Sequence, residues 1–411
     1  MKNRMVENRN PIGIYIHIPF CEAKCAYCDF LSGPSSNENK KRYVDALIEQ
    51  IKEYSYLNEE YYIRTIFIGG GTPSSIDPMD IRRILGMVYE VFEIENIYSG
   101  DENTKQTLQD NNKIEITIEA NPGTLTKDKL LIYKEAGINR ISMGLQSVND
   151  KELKLLGRIH TYDQFEENYH LARKSGFTNI NIDLMSALPG QTIDTWERTL
   201  KTIIELNPEH ISAYSLIIEE GTPFFERYAD GSELPAEEED RQMYYLTKKL
   251  LREAGYERYE ISNYAKPGFE SKHNSSYWER IDYIGFGLGA SSCLNNTRFH
   301  NEEDLALYIE EGIGVQKENS VSFNGRFARK ELQQLTLKEQ MEECMFLGLR
   351  MMKGVDLNQF EQQFEVQFDK VYGKIVKEMV SDGLLVIKDH HLILTERGID
   401  LSNYVMSEFL L

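Results

Sequence analysis

Short β-rich runs and longer amphipathic segments alternate six times in the first part of this chain, and that alternation restricts the fold more than any other feature. The runs are residues 14–18, 65–68, 114–118, 140–145, 180–185 and 210–216. Between them, residues 42–56, 79–92, 127–136, 165–174 and 195–206 repeat their apolar side chains at helical spacing. Gly137 and Gly176 stand where helix C-caps are expected. Alternating strand and helix requires parallel strands joined by right-handed crossovers, so residues 13–230 are expected to form an α/β unit, a (βα)6 partial barrel. The uncommon residues fall near the C-terminal ends of the strands: a cysteine loop after the first, residues 69–73 after the second, Glu119 and Asn121 after the third, Gln146 after the fourth and Asp183 in the fifth. Active sites of parallel α/β folds gather at that edge.

At 411 residues the chain exceeds one single-core domain. Residues 1–12 are expected to be a flexible tail, and the polar stretch 96–113 a surface loop. Residues 231–300, with a charged amphipathic helix at 236–254, an aromatic segment at 256–278 and a glycine-rich one at 285–289, are expected to extend the barrel. From 301 to 411 helices over 335–350, 356–364 and 368–382 lead into two short strands around the turn 388–390, the pattern of a helical, winged-helix-like domain. Such domains often bind DNA, but the chain carries 46 Lys+Arg against 66 Asp+Glu, a net charge of −20, which argues for a packing or lid role and against nucleic acid as a partner. No apolar stretch reaches the length of a membrane span and no secretory h-region opens the chain, so a cytoplasmic location is expected.

The strongest chemical signal is the segment Tyr15-Ile-His17-Ile-Pro-Phe-Cys21-Glu-Ala-Lys-Cys25-Ala-Tyr27-Cys28-Asp-Phe30. Three of the five cysteines lie within eight residues, which excludes a spread disulfide framework and points to a metal. Soft thiolates suit an iron–sulfur cluster or zinc. Three on one loop can grip three corners of a cubane and leave one iron open; the alternative is a structural zinc whose fourth ligand is distant, such as His17 or Cys293. Cys293 and Cys344 otherwise read as buried apolar thiols.

This motif, with an aromatic residue before its third cysteine, resembles that of the radical S-adenosylmethionine (SAM) enzymes. The resemblance implies a partial (βα)6 barrel, a [4Fe–4S] cluster held by Cys21, Cys25 and Cys28, and SAM chelated to the open iron. It also implies the rest of the cofactor site: the glycine motif at Gly69, Gly70, Gly71 and Thr72, with Glu119, Gln146, Arg158, Asp183, Tyr15 and Tyr27 as SAM contacts. The chemistry is sensible, since carboxylates suit ribose hydroxyls and an ammonium while Arg158 suits a carboxylate.

Over most of its length the chain is similar to the oxygen-independent coproporphyrinogen III oxidase family, including the segment Tyr-Glu-Ile-Ser-Asn-Tyr-Ala at 259–265. Within that family the true oxidases carry a fourth cysteine two residues after the third and a longer N-terminal arm. Here Phe30 holds the cysteine position and 20 residues precede Cys21. The haem chaperone branch carries a His-Asn-x-x-Tyr-Trp signature, which occurs as His273, Asn274, Tyr277 and Trp278. The resemblance therefore implies haem contact at His273, Tyr277 and Trp278; an imidazole can ligate iron and flat rings can cover a porphyrin. A hydrogen-bonded core histidine is the alternative for His273, and His17, His160 and His300 are competing ligands.

The expected function is a cytoplasmic haem chaperone that binds a [4Fe–4S] cluster, SAM and haem and delivers haem to acceptor proteins. Membrane-bound respiratory proteins are expected among the acceptors, reached at the membrane face through a protein partner, and a flavodoxin or ferredoxin as electron donor if the radical is generated. The alternative is radical oxidative decarboxylation of coproporphyrinogen III. No catalytic residue is assigned.

Overall fold

The computed structural model describes residues 9–92, 114–314 and 326–411. The expected surface loop at 96–113 lies outside the described residues. Six parallel strands, β1 (Asn10–Ile18), β2 (Tyr61–Gly70), β3 (Glu115–Ala120), β4 (Arg140–Gln146), β5 (Ile180–Ser186) and β6 (His210–Ser215), lie side by side in chain order. Helices α1 (Asn37–Glu53), α2 (Pro78–Val91), α3 (Lys127–Glu135), α4 (Asp150–Leu155), α5 (Tyr162–Lys174) and α6 (Ile193–Leu206) form the crossovers. Short polar side chains start these helices. Ser36, Asp77, Thr126 and Asn149 accept backbone N–H bonds at the ends of α1 to α4, and Thr161 and Thr192 close capping boxes on α5 and α6. Gly137 and Gly176, at φ +95° and +87°, stop α3 and α5 as the sequence indicates. The short α4, whose one and a half turns are too few to show a period, has no counterpart in the sequence reading.

The two faces of the sheet differ in kind. Ile12, Ile14, Ile16 and Ile18 of β1, Ile116 and Ile118 of β3, and Ile180, Ile182 and Leu184 of β5 are buried in one core against the helices. The alternate positions of these strands are Tyr15 and His17, Glu115, Thr117 and Glu119, and Asn181 and Asp183, with Arg140 and Ser142 on β4 and His210 and Ser212 on β6. Side chains alternate along a strand, so these polar groups line the inner, concave face. Parallel sheets usually bury apolar residues on both faces; a polar lumen departs from that rule.

The sheet does not close on itself. After α7 (Pro223–Tyr228) and α8 (Glu237–Glu253), β7 (Glu257–Arg258) and β8 (Asn263–Ala265) add antiparallel strands beyond β6. Then α9 (Lys272–Trp278) leads to β9 (Tyr283–Phe286), parallel to β1 on its other side, and on to β10 (Ser291–Leu294) and β11 (Thr297–His300). With α10 (Leu305–Gly312) and β12 (Lys330–Gln334) the sheet reaches 12 strands.

Two sequence boundaries shift. Asn10–Ile12, assigned to a flexible tail, belong to β1, where they pair with Tyr61–Ile63. The stretch from 301, assigned to the C-terminal domain, still belongs to the barrel body: Tyr308 and Ile309 of α10 are in the main core and β12 pairs with β11. A second core begins only at Met341. It is built from α11 (Leu337–Gly348), β13 (Val355–Asp356), α12 (Leu357–Phe364), α13 (Phe368–Ser381), β14 (Leu385–Lys388), β15 (His391–Leu394), α14 (Glu396–Asp400) and α15 (Ser402–Ser407). Asp389 and His390, at φ 49° and 63°, turn β14 into β15 as a two-residue hairpin loop. The domain docks through Glu343, which meets Arg298 at 2.8 Å and Arg280 at 3.5 Å, and through Arg350, whose guanidinium lies 4.3 Å from the Trp278 ring centre.

Candidate functional site

The cysteine loop leaves β1 at the C-terminal edge of the barrel and is pinned at both sides. Cys21 N donates to Gly33 O (3.0 Å), Ala26 N to Leu156 O (3.0 Å), and Phe224 N to Ala26 O (2.9 Å). Tyr27 packs with Leu156, Phe224 and Tyr228 in a small apolar cluster beneath the loop. All three cysteines are free and partly exposed. Burial, with repulsion from Cys25 and Cys21, pushes the Cys28 thiol above its ordinary value.

A ring of polar contacts joins this loop to three other strand ends. Thr72 Oγ1 donates to Cys21 Sγ at 3.6 Å and accepts from Asn121 Nδ2 at 2.8 Å. Asn121 Oδ1 accepts from Arg158 Nη2 at 2.9 Å, and Arg158 Nη1 reaches Cys25 Sγ at 3.7 Å. Arg158 also donates to Gly144 O. Glycine is required at two places here. A Cβ on Gly71 would lie 2.9 Å from Cys21 Sγ and from Phe20 O, and one on Gly144 would lie 2.9 Å from Arg158 Nη2 and 3.2 Å from Gln146 Nε2. Gln146, at φ 74°, sits in a β-bulge between β4 and β5, a device that re-aims side chains beside sites.

Below this ring lie the two carboxylates. Glu119 Oε2 accepts from Gly70 N at 3.1 Å. Burial and the nearby Asp183 push its carboxyl up to about 8. Asp183 accepts from Asn181 Nδ2 (2.8 Å) and Ser142 Oγ (3.0 Å), and burial raises its pKa as well. Arg140, buried lower in the lumen with its Nε unpartnered, opposes the shifts of both carboxyls. The sequence reading had passed over Arg140, Asn181 and His210. The signal that could have found them is the period-two alternation of polar residues with isoleucine inside β3, β4, β5 and β6.

The expected ligands fit a thiolate-bound cluster in kind: three half-buried thiols outside any disulfide, a glycine cradle against Cys21 and a cation beside Cys25. Among the described residues, however, no three Cys, His, Asp or Glu side chains converge as a ready metal site. The loop brings the cysteines to one sheet edge without drawing their sulfurs to one point. Cys293 pairs opposite Tyr283 on β10, and Cys344 packs on the second core with its thiol pushed up to about 11 by burial. Neither is near the loop motif in the fold, and both fit the reading as bystanders.

The His273 segment is built differently from its expectation. Glu115, at the start of β3, accepts from the N–H groups of Lys272 (3.0 Å) and His273 (3.1 Å) and so fixes α9 across the base of the barrel. His273 is 2 % exposed. Its Nδ1 is bonded to Thr65 Oγ1 (2.8 Å), its Nε2 to Tyr277 Oη (2.9 Å), and its ring stacks on Phe67 at 5.1 Å. Burial and the Arg140 charge lower its pKa to about 3. A free imidazole for haem iron is therefore not what the fold presents; the hydrogen-bonded core histidine is. Trp278 is capped by Arg350 rather than open to a ligand, and its Nε1 is buried without a partner. Tyr277 alone of the three borders a cavity, of about 340 Å³, with Tyr15, His17, Leu31, Tyr283 and Leu288. His160 and His300 lie outside it.

Comparison with known proteins gives a consistent result. Residues 15–203 match the family model of the radical SAM superfamily, and residues 335–401 that of the HemN C-terminal domain. The heme chaperone HemW of Lactococcus lactis is 35% identical over 404 residues, 98% of each chain. HemW of Bacillus subtilis is 35% identical over 397 residues, covering 96% of this chain and 98% of its own. Coproporphyrinogen III oxidase (HemN) from Escherichia coli superposes with a TM-score of 0.78 at 22% identity, covering 98% of this chain and 91% of that one, which establishes a shared fold.

Proposed function

Since this chain belongs to the radical SAM superfamily and, by full-length similarity, to the HemW heme chaperone family, we propose that it holds a [4Fe–4S] cluster and SAM at the barrel mouth and carries haem to acceptor proteins. The observation that carries the cofactor half is the contact ring Cys21–Thr72–Asn121–Arg158–Cys25, which ties the loop motif to residues after β2 and β3 and to the turn after α4. When bound, the cluster supplies an open iron that chelates the amino and carboxylate groups of SAM.

The chain's own residues do the rest. Cys21, Cys25 and Cys28 supply thiolates. Gly70 and Gly71 let backbone approach the cofactor, and Thr72 and Asn121 orient the loop beside it. Arg158 offers a guanidinium to a carboxylate, Glu119 and Asp183 offer carboxylates to amine N–H groups and to ribose hydroxyls, and Gln146 and Tyr15 complete the pocket wall, with Tyr27 supporting the loop from below.

Phe30, 62% exposed, stands where a fourth cysteine marks the oxidases, which favours carriage of haem over decarboxylation of coproporphyrinogen. The acceptors are proposed to include membrane-bound respiratory proteins, with a flavodoxin or ferredoxin as electron donor and the cytoplasm as location; no helix among the described residues is long and apolar enough to cross a membrane. The test is titration of the anaerobically reconstituted protein with haem, followed by transfer to an apo-acceptor. A shifted Soret band with no protoporphyrinogen formed from coproporphyrinogen is expected. An unshifted band, or turnover of coproporphyrinogen, would reverse the assignment.

A further inference from the structure

A chain of hydrogen bonds runs inside the barrel from the start of α9 to Asp183. Ser271, the residue that caps α9, donates its N–H to Tyr259 Oη at 3.2 Å, and Tyr259 Oη is bonded to His210 Nε2 at 2.8 Å. His210 Nδ1 is bonded to Asn181 Oδ1 at 2.6 Å, with Ser212 Oγ a second partner of that oxygen at 3.2 Å. Asn181 Nδ2 then donates to Asp183 Oδ1 at 2.8 Å and to Ser142 Oγ at 2.7 Å, and Ser142 Oγ donates to Asp183 Oδ2 at 3.0 Å. Ser271, His210, Asn181, Ser142 and Ser212 are all buried, so these groups satisfy one another. The lower end is fixed a second time, because Tyr259 O accepts from Met352 N of the C-terminal domain at 2.9 Å.

The two ends give this chain a direction. A backbone N–H can only donate, so Ser271 leaves the Tyr259 hydroxyl hydrogen to be donated to His210 Nε2. Burial and the Arg140 charge keep the His210 imidazole neutral, and a neutral ring that accepts at Nε2 carries its hydrogen on Nδ1. That hydrogen goes to the Asn181 carbonyl, which turns the amide nitrogen to Asp183. From the other end a carboxylate, which only accepts, requires the same order. Reversing the chain would give Tyr259 Oη two donors and leave its own hydrogen no partner in the chain. Burial pushes the Asp183 carboxyl up while the bonds from Asn181 and Ser142 pull it down, so the alignment of those donors decides how well the carboxylate is held. We propose that His210 is the positioning residue for Asp183: its Nδ1–H fixes the Asn181 amide, so that each Asp183 oxygen takes one bond from the protein and keeps acceptor capacity for one of two adjacent ligand hydroxyls. The inference rests on the SAM reading, in which Asp183 meets the ribose hydroxyls, and adds to it two residues behind the site, His210 and Tyr259, on which recognition of the ribose depends.

The test has two arms. Nitrogen NMR of the cofactor-free full chain, labelled at histidine, reads the tautomer: His210 is expected to carry its hydrogen on Nδ1, its signal assigned by its loss in His210→Asn. Equilibrium dialysis of the anaerobically reconstituted chain, at equal iron content, reads the affinity for SAM and for a SAM analogue lacking both ribose hydroxyls. His210→Phe keeps a ring but has no N–H, and is expected to weaken SAM about tenfold, the worth of one hydrogen bond, while leaving the analogue unchanged. His210→Asn, whose amide can keep the bond to Asn181, is expected to restore most of that loss. Should His210→Phe not fold, Tyr259→Phe takes its place; removal of that hydroxyl is expected to shift the His210 hydrogen toward Nε2 with the same selective loss. A wild-type hydrogen on Nε2, equal losses for the two ligands, or no loss at all overturns the proposal. Failure of the wild type to bind SAM, or equal affinity of the wild type for the two ligands, is a separate result, which overturns the SAM reading on which the inference rests.

Discussion

Glu119 and Gly70 are joined by a 3.1 Å hydrogen bond from the glycine N–H to the carboxylate, so the end of β3 and the glycine turn after β2 are one unit. Burial and Asp183 raise the Glu119 pKa from its ordinary 4.5 to about 8. The folded state then holds a proton that the unfolded state releases, so stability is full below pH 4.5 and declines as pH rises towards 8, after which it is flat. Glu119→Gln is expected to flatten this slope, which is on the order of 1 kcal/mol per pH unit at most. Urea midpoints measured across that range check it. Binding of SAM, whose amine N–H groups donate better to an ionised carboxylate, is expected to strengthen through the same interval in the wild type and not in the variant.

Loss of any cluster ligand should remove the chromophore. Cys21→Ser, Cys25→Ser and Cys28→Ser are each expected to abolish the brown absorbance after anaerobic reconstitution, while Cys293→Ser and Cys344→Ser keep it. Iron and sulfide analysis of the five variants measures this directly, and a chromophore retained in all of the first three contradicts the loop's assignment.

Two glycine substitutions should have opposite effects. Gly71→Ala places a methyl group 2.9 Å from Cys21 Sγ and the Phe20 carbonyl, so cluster occupancy should fall sharply. Gly86, inside α2, has open space around its Cα, so Gly86→Ala should raise stability by about 1 kcal/mol with the cluster site untouched. Iron content for the first and chemical denaturation for the second are the readouts.

The C-terminal domain should loosen when Glu343 is removed. Glu343→Ala removes the carboxylate shared by Arg298 and Arg280 and leaves the largely buried Arg280 with only its bond to Asn296, at a cost of about 2 kcal/mol. Glu343→Gln keeps hydrogen-bonding capacity and should cost less. Limited proteolysis near residue 335 reports the opening of this junction.

Much of the fold was readable because its signals are local. The six strands and five of the crossover helices follow from apolar period and from caps such as Gly137 and Gly176, which act within a few residues. The helix α4 was missed because it is too short to show a period, and the domain boundary at 301 was misplaced because helical pattern does not reveal which core a helix joins: α10 packs on α1, and α11 on the second core.

The chain's own order of residues determined the thiol spacing, the parallel α/β class and the set of polar residues at the strand ends, since each depends on covalent neighbours. Tertiary structure alone decided what each of those residues faces. It joined Arg158 to Asn121 across 37 residues of chain and to Cys25 across 133, and it buried His273 behind Tyr277, so that a motif read as a haem contact became a tyrosine bordering a cavity with a histidine at its back. The physical reason is that a side chain's surroundings are set by how strands and helices pack, and here α9 is fixed across the barrel base by Glu115, a residue 158 positions away from His273.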